Sequence, residues 1–402
     1  MKYIVVLSDG MSDYPLPELG GKTPMEYANK PNMDSLASKG EMFLVKTVPD
    51  ELSPGSDVAN LAVMGYDPMK YYTGRSPLEA ASIGVTLAPD DTSYRANLVS
   101  LSGECDYEDK TMLDYSSGEI TTAESAEIIK TLAESINTND LKLYCGVSYR
   151  HLLVKSGKNS DCELTPPHDI SDKPIKEYLP KDELTLSVMK KSYEILKNHP
   201  VNKKRRAEGK HTADSLWIWG RGKSASLPSF KEKTDLSGAV ISAVDLVRGI
   251  GYLADMEVIK VPNVTGNIDT NFDGKAKAAV DALMSGKDYV YIHLEAPDEC
   301  GHQGNAKLKA KSIELIDKKI VGYICSELSE KGEDYRIMVL PDHPTPVSIK
   351  THARDPVPCF IYDSRFEKES KSIVFSEKNA EGKMLDPGYR LIDYFLERSE
   401  FN

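Results

Sequence analysis

Three apolar runs in this chain end in the same way. Ile4 to Ser8 runs into Asp9 and Gly10, and Tyr289 to Leu294 runs into Glu295, Asp298, His302 and Gly304. Ile337 to Leu340 runs into Asp342 and His343, with His352 beyond. Short apolar, β-branched runs closed by Gly and Pro read as buried strands. Open α/β sheets bind ligands outside the carboxyl ends of their strands. Three strands ending in Asp, or in Asp with His, therefore predict one sheet whose strand ends gather a single polar site. Asp298 and His302 lie four apart, so one helical turn or a curled loop aims both at one ion. Residue by residue, a capping serine, salt-bridged carboxylates and surface histidines compete with this reading. The threefold repetition decides against them.

The rest of the chain supplies helices between such strands. Strands are expected at Lys2–Leu7 and Met42–Val48, and a helix at 31–39 with Pro31 in its first turn and Gly40 as its stop. A helix over Val58–Met64, stopped by Gly65, places Ser56 at its N-terminus, where free N–H groups and the dipole favour negative charge. Ser56 as a plain helix cap is the competing reading. From about residue 90 to 225 the Asp/His strand ends vanish. Helices are expected there at 122–135 and 182–197, and strands at 94–101, 150–154 and 215–219. The α/β rhythm then returns, with helices over 239–249, 273–284, 307–329 and 389–397 and strands at 257–261 and 358–362. The predicted fold class is α/β, a parallel sheet assembled from 1–89 and 226–402, with an inserted α+β domain at 90–225.

The formal net charge of -12 argues against a nucleic-acid or anionic-membrane partner, so an anionic substrate must be attracted locally. No apolar run approaches the roughly 20 residues of a membrane span, and the apolar stretch before Asp9 is too short for a signal peptide. Six scattered cysteines without a Cys-x-x-Cys pair suit reduced thiols and a cytoplasmic location. The basic run Lys203–Arg206 reads as solvated surface.

Asp9, Ser56, Asp298, His302, Asp342, His343 and His352 offer oxygen and imidazole but no thiolate. That set suits Mn²⁺ or Zn²⁺, with Co²⁺ or Mg²⁺ as further candidates, and argues against an all-oxygen Ca²⁺ cage. Seven groups are too many for one tetrahedral ion with an open position and apt for two. Two ions about 3.5–4 Å apart clamp the attacking and leaving oxygens of an in-line phosphoryl displacement, and they turn a ligated serine hydroxyl into a nucleophile.

The motifs around these residues resemble the cofactor-independent phosphoglycerate mutases, archaeal-type branch, of the alkaline phosphatase superfamily. They are Glu18–Pro24, Asn29–Asp34, Ser53–Asn60, Gly65–Pro68, Tyr72–Arg75, Tyr149–Leu153, Gly238–Leu246, Glu295–Glu299 and Leu340–Pro346, spread over nearly the whole chain. The resemblance implies an alkaline-phosphatase-like sandwich that interconverts 3-phosphoglycerate and 2-phosphoglycerate without 2,3-bisphosphoglycerate. It implies one ion held by Asp298, His302 and His352, another by Asp9, Ser56, Asp342 and His343, and transient phosphorylation of Ser56. It also implies that the inserted domain holds the glycerate through Arg75, Arg150, His151, His168, Asp169 and Arg221, in a cytoplasmic monomer or small homo-oligomer. One departure is Asp9-Gly10-Met11, where archaeal members more often have Leu after the Asp-Gly pair. A related bacterial group with Asp-Gly-Met has been proposed to act as homoserine kinases. A homoserine kinase-like phosphotransferase and a metal-dependent phosphomonoesterase are therefore the alternatives.

Overall fold

The computed structural model describes residues 1–103, 106–157, 162–366 and 373–398. They form two compact units, 1–72 with 226–402, and 73–225. The strands in chain order are β1 (Lys2–Ser8), β2 (Glu41–Val45), β3 (Thr92–Leu101), β4 (Met112–Asp114), β5 (Leu141–Val147) and β6 (Arg150–Lys155). There follow β7 (Ser215–Lys223), β8 (Gly238–Ile241), β9 (Glu257–Val258), β10 (Tyr289–Leu294), β11 (Tyr335–Leu340), β12 (Val357–Asp363) and β13 (Met384–Leu385).

In the first unit eight strands form one sheet in the order β13-β2-β12-β11-β1-β10-β8-β9. β1 runs parallel to both neighbours. Such a strand is covered on both faces, which is why Ile4, Val5, Val6 and Leu7 form an unbroken apolar run and are all fully buried. Ile4, Val6, Ile292 and Ile337 face a core built with the helices Phe272–Met284 and Ala306–Ile316. On the other face the ring of Tyr289 packs 4.6 Å from Phe230, and that of Tyr3 lies 5.7 Å from Phe395. Among the described residues no helix is long and apolar enough to cross a membrane.

In this unit three expectations change. The sheet is mixed, because β12 runs antiparallel to β11 and to β2. A parallel return needs a crossover, usually a helix, and the segment 341–356 is spent on loop without one. The expected helix 239–249 begins instead as strand β8, with the helix at Asp245–Leu253. A short apolar run buried on both sides does not reveal its period. The long helix spans Ala306 to Glu330 but contains a π-helical stretch, Asp317–Gly322. There the Asp317 carboxylate accepts from the N–H of Met33 at 2.7 Å and from Asn32 Nδ2 at 2.8 Å.

The second unit begins at Thr73 rather than at residue 90. The helix Ser76–Ser82 belongs to it, since Ser93 Oγ donates to Ser76 Oγ at 3.0 Å and Arg95 Nε to Glu79 at 3.0 Å. Its sheet is antiparallel, in the order β4-β3-β6-β5, with β7 pairing the other side of β3. Helices Thr122–Ile136 and Glu183–Leu196 fill a core against Ala96, Leu98, Leu153 and Ile218. The two ends of the unit meet, with Thr73 Oγ1 donating to the Lys223 carbonyl at 2.7 Å.

Candidate metal centre

Leu7 pairs with His293 on β10 and with Leu340 on β11, so Asp9, Glu295 and Asp342 leave adjacent strands at one end of the sheet. The helix Ser56–Val63 starts beside them. Its N-cap is Gly55, without a side-chain bond, so Ser56 is no cap. Its hydroxyl instead lies 3.1 Å from His343 Nε2 and 3.4 Å from Asp9 Oδ2. His343 Nε2 is also 3.7 Å from Asp9 Oδ1 and 3.5 Å from Asp342 Oδ2.

A second group adjoins this one. Helix Ala296–His302 carries Asp298 and His302 one turn apart, and His302 Nε2 sits 3.2 Å from Asp298 Oδ2 and 3.0 Å from His352 Nε2. His352 Nε2 lies 3.5 Å from Asp298 Oδ1. All seven sequence candidates of the first unit thus converge. Two groupings, Asp9–Asp342–His343 and Asp298–His343–His352, each have ligand atoms within 4.8 Å of one another. His343 belongs to both, and His302 joins through Asp298 and His352.

The donors fit divalent cations. His302 Nδ1–H donates to the Lys350 carbonyl at 3.0 Å and His352 Nδ1–H to the Pro54 carbonyl at 3.4 Å. A carbonyl only accepts, so each Nδ1 carries a proton and each Nε2 faces the cluster, the usual outer-shell arrangement of metal-binding histidines. Two imidazole nitrogens 3.0 Å apart call for a positive charge between them, a proton or a metal ion. Burial, and then the neighbouring charges of Asp342 and Asp298, push the Asp9 carboxyl well above its ordinary range. Burial opposes ionisation of Asp298 as well, but hydrogen bonds from His302 and His352 hold it well below the usual value. His302, bonded to Asp298, is raised to about 9. Among the described residues Asp9 Oδ1 is buried without a hydrogen-bond partner.

The second-unit candidates do not all meet. Neighbouring residues on a strand face opposite ways. Arg150 pairs with Asn97, on the face where Arg95 stacks 4.1 Å from the Trp219 ring. His168 packs on that same ring at 5.3 Å, and the charges of Arg95 and Arg75 both reach it. Asp169 is exposed, 3.6 Å from His168. His151 pairs with Ala96 on the opposite, helix-covered face, where burial pushes its imidazole down to about 3. Arg221 goes that way too. The pairing slips between Ser93 and Arg95, Gly220 takes φ +57°, and Arg221 hydrogen-bonds the Tyr94 phenol.

A profile described as 2,3-bisphosphoglycerate-independent phosphoglycerate mutase matches residues 37–202. A probable 2,3-bisphosphoglycerate-independent phosphoglycerate mutase of Geobacter sulfurreducens is 49% identical over 405 residues, covering 99% of this chain and 100% of the relative. An enzyme of that name from Methanosarcina barkeri is 47% identical, covering 94% and 95%. The chain belongs to the 2,3-bisphosphoglycerate-independent phosphoglycerate mutase family. Among solved structures, the PH0037 protein of Pyrococcus horikoshii is 30% identical with a TM-score of 0.81, covering 99% of this chain and 98% of that one. The cofactor-independent phosphoglycerate mutase of Thermoplasma acidophilum is 26% identical with a TM-score of 0.66, covering 99% of both chains. In this mutase-family chain the fold is an α/β sandwich with an α+β insertion.

Three groups at the mutase-family site were not among the sequence candidates. Asn60 Nδ2 donates to Asp342 Oδ2 at 2.9 Å and to the Ser56 carbonyl at 2.8 Å, while its Oδ1 accepts from the Tyr291 hydroxyl at 2.7 Å. Its position one helical turn after Ser56 was the available signal. His293 Nε2 lies 3.0 Å from Asp9 Oδ2, hidden in sequence by the apolar strand that carries it. Thr345 Oγ1 donates to Asp298 Oδ1 in a short bond. Gly10, at φ +61°, leaves room for both partners of that bond, since a Cβ there would lie 2.6 Å from each.

Proposed function

We propose that the chain is a cytosolic isomerase that moves one phosphoryl group between the 3- and 2-oxygens of glycerate, without added 2,3-bisphosphoglycerate, in glycolysis and gluconeogenesis. The observation that carries this is the aim of Ser56. Its hydroxyl leaves the helix end uncapped and points at Asp9 and His343, which an accessory or capping serine has no reason to do.

Asp9, Ser56, Asp342 and His343 would hold one divalent ion, Mn²⁺ or Zn²⁺, and Asp298, His302 and His352 the other. When bound, such ions lower the pKa of a serine hydroxyl and neutralise phosphate charge. Ser56 Oγ forms a bond to phosphorus as the phosphorus–oxygen bond at C3 breaks. The oxygen at C2 of the same glycerate then bonds to phosphorus as the Ser56 Oγ–phosphorus bond breaks; over the two steps the 2-hydroxyl gives up a proton, the freed 3-oxygen gains one and Ser56 is regenerated. The helix end at Ser56 presents N–H groups to the parked phosphate. In the inserted unit, Arg150 and Arg75, beside a neutral His168, would supply the positive charge suited to the glycerate carboxylate.

The test is one assay series on purified, metal-loaded protein. Expected is conversion of 3-phosphoglycerate to 2-phosphoglycerate, abolished by chelation and restored by Mn²⁺, Co²⁺ or Zn²⁺ but not by Ca²⁺. Homoserine with ATP and a phosphate-release assay run alongside. Phosphorylated homoserine, or free phosphate in place of 2-phosphoglycerate, would replace this reading with a kinase or a phosphomonoesterase. Full activity after exhaustive chelation would remove the metals from it.

A further inference from the structure

Each of the three candidate ligand histidines is steered through Nδ1, but not by the same kind of group. His302 and His352 use main-chain carbonyls. His343 Nδ1 instead lies 3.3 Å from the hydroxyl of Thr345. That hydroxyl has one proton, and an ionised carboxylate can only accept. Since the Thr345 proton goes to Asp298 Oδ1, Thr345 Oγ1 must accept from His343 Nδ1–H. The direction of this chain leaves the Nε2 lone pair of His343 facing Ser56 Oγ, 3.1 Å away.

Thr345 is held for this task from its other side. Buried Lys309 Nζ donates to the Thr345 carbonyl at 2.8 Å and to Asp13 Oδ2 at 2.7 Å. The Thr345 N–H donates to the Ser12 carbonyl at 3.3 Å. Gly301 crowds the residue from the Asp298 helix, where a Cβ would stand 2.4 Å from the Thr345 carbonyl oxygen. The side chain itself is fully buried.

We propose that Thr345 is the positioning residue that couples the two candidate ion sites, its single hydroxyl fixing Asp298 in one and the ring of His343 in the other. This rests on the two-ion reading above. Outer-shell partners of this kind typically change metal affinity about 10- to 100-fold when removed. The Pro344 carbonyl also draws on the His343 ring, so losing the hydroxyl loosens that ring rather than inverting it.

The test is Mn²⁺ titration of metal-stripped protein by calorimetry, with stoichiometry from elemental analysis. In Thr345→Val, which keeps the shape and removes the hydroxyl, both ions are expected to bind about 10- to 100-fold more weakly. Thr345→Ser restores the hydroxyl and with it both affinities, a rescue that a purely packing role would not give. Should Thr345→Val not fold, Thr345→Ala carries the same comparison. Unchanged affinities in the hydroxyl-free variant, weakening of one ion alone, or failure of Ser to rescue would each overturn the coupling role. Wild-type protein that takes up fewer than two ions would overturn the two-ion reading itself, and that result is read before any variant is compared.

Discussion

Ser53 and Ser56 stand three residues apart in one turn, and only Ser56 reaches Asp9 and His343, whereas Ser53 is exposed. Ser56→Ala is therefore expected to abolish mutase turnover, and Ser53→Ala to leave stability within about 0.5 kcal/mol and much of the activity. Labelled 3-phosphoglycerate, trapped in acid, should mark the peptide containing Ser56; label elsewhere would reassign the nucleophile. His151 makes a different prediction. Its folded pKa, about 3, lies below the unfolded value of roughly 6.5. Its contribution to stability is thus whole above the upper value and is lost as pH falls toward the lower one. His151→Asn keeps an acceptor for the Gly146 N–H, which His151 Nδ1 meets at 3.1 Å, and removes the proton site. Urea midpoints at pH 7 and 4.5 should therefore diverge less in the variant than in wild type; equal losses would refute this. In sequence, the ligand residues stood out because charge gathered at the end of an apolar strand is costly unless an ion or a partner meets it. Asn60 and Thr345 did not, because a polar residue beside a helix start or between prolines looks like a cap or a turn.

At the scale of elements, the helix Pro31–Lys39 shows how one segment completes another. Its N-cap, Lys30, offers no side-chain bond to the free N–H groups. Asp317 supplies it from the π-helical stretch, through Oδ1 to Met33 and Oδ2 to Asn32. Asp317→Ala is expected to lower unfolding free energy by about 1–3 kcal/mol, with Asp317→Asn losing less. A shifted urea midpoint at constant m-value is the readout, and an unshifted midpoint would mean water replaces the carboxylate. This link was not legible beforehand, since the apolar face from Ile313 to Leu328 has the same spacing with or without a π turn. β8 failed for a related reason. Ala239, Val240 and Ile241 are buried on both faces, and nothing local separates such a run from the first turn of a helix. The direction of β12 depends on how residues 341–356 are spent, a tertiary matter. β1, β10 and β11 were legible because their length, branching and polar endings all agreed.

At the scale of the molecule, the two units differ in how the chain builds them. Residues 73–225 are contiguous and their ends are tied by Thr73 and Lys223. That segment, produced alone, is expected to unfold cooperatively in urea with native-like near-ultraviolet dichroism; a featureless spectrum would show that it needs the rest of the chain. The other unit is stitched from two separated segments around β1, whose partners β10 and β11 lie near residues 290 and 340. During synthesis at about 5–20 residues per second, β1 therefore waits on the order of tens of seconds before either neighbour exists. The inserted unit, which ends at Ala225, is synthesised before either of them. For that interval the central strand of the finished enzyme is a bare apolar ribbon on the ribosome, and the yield of active protein rests on what shelters it there.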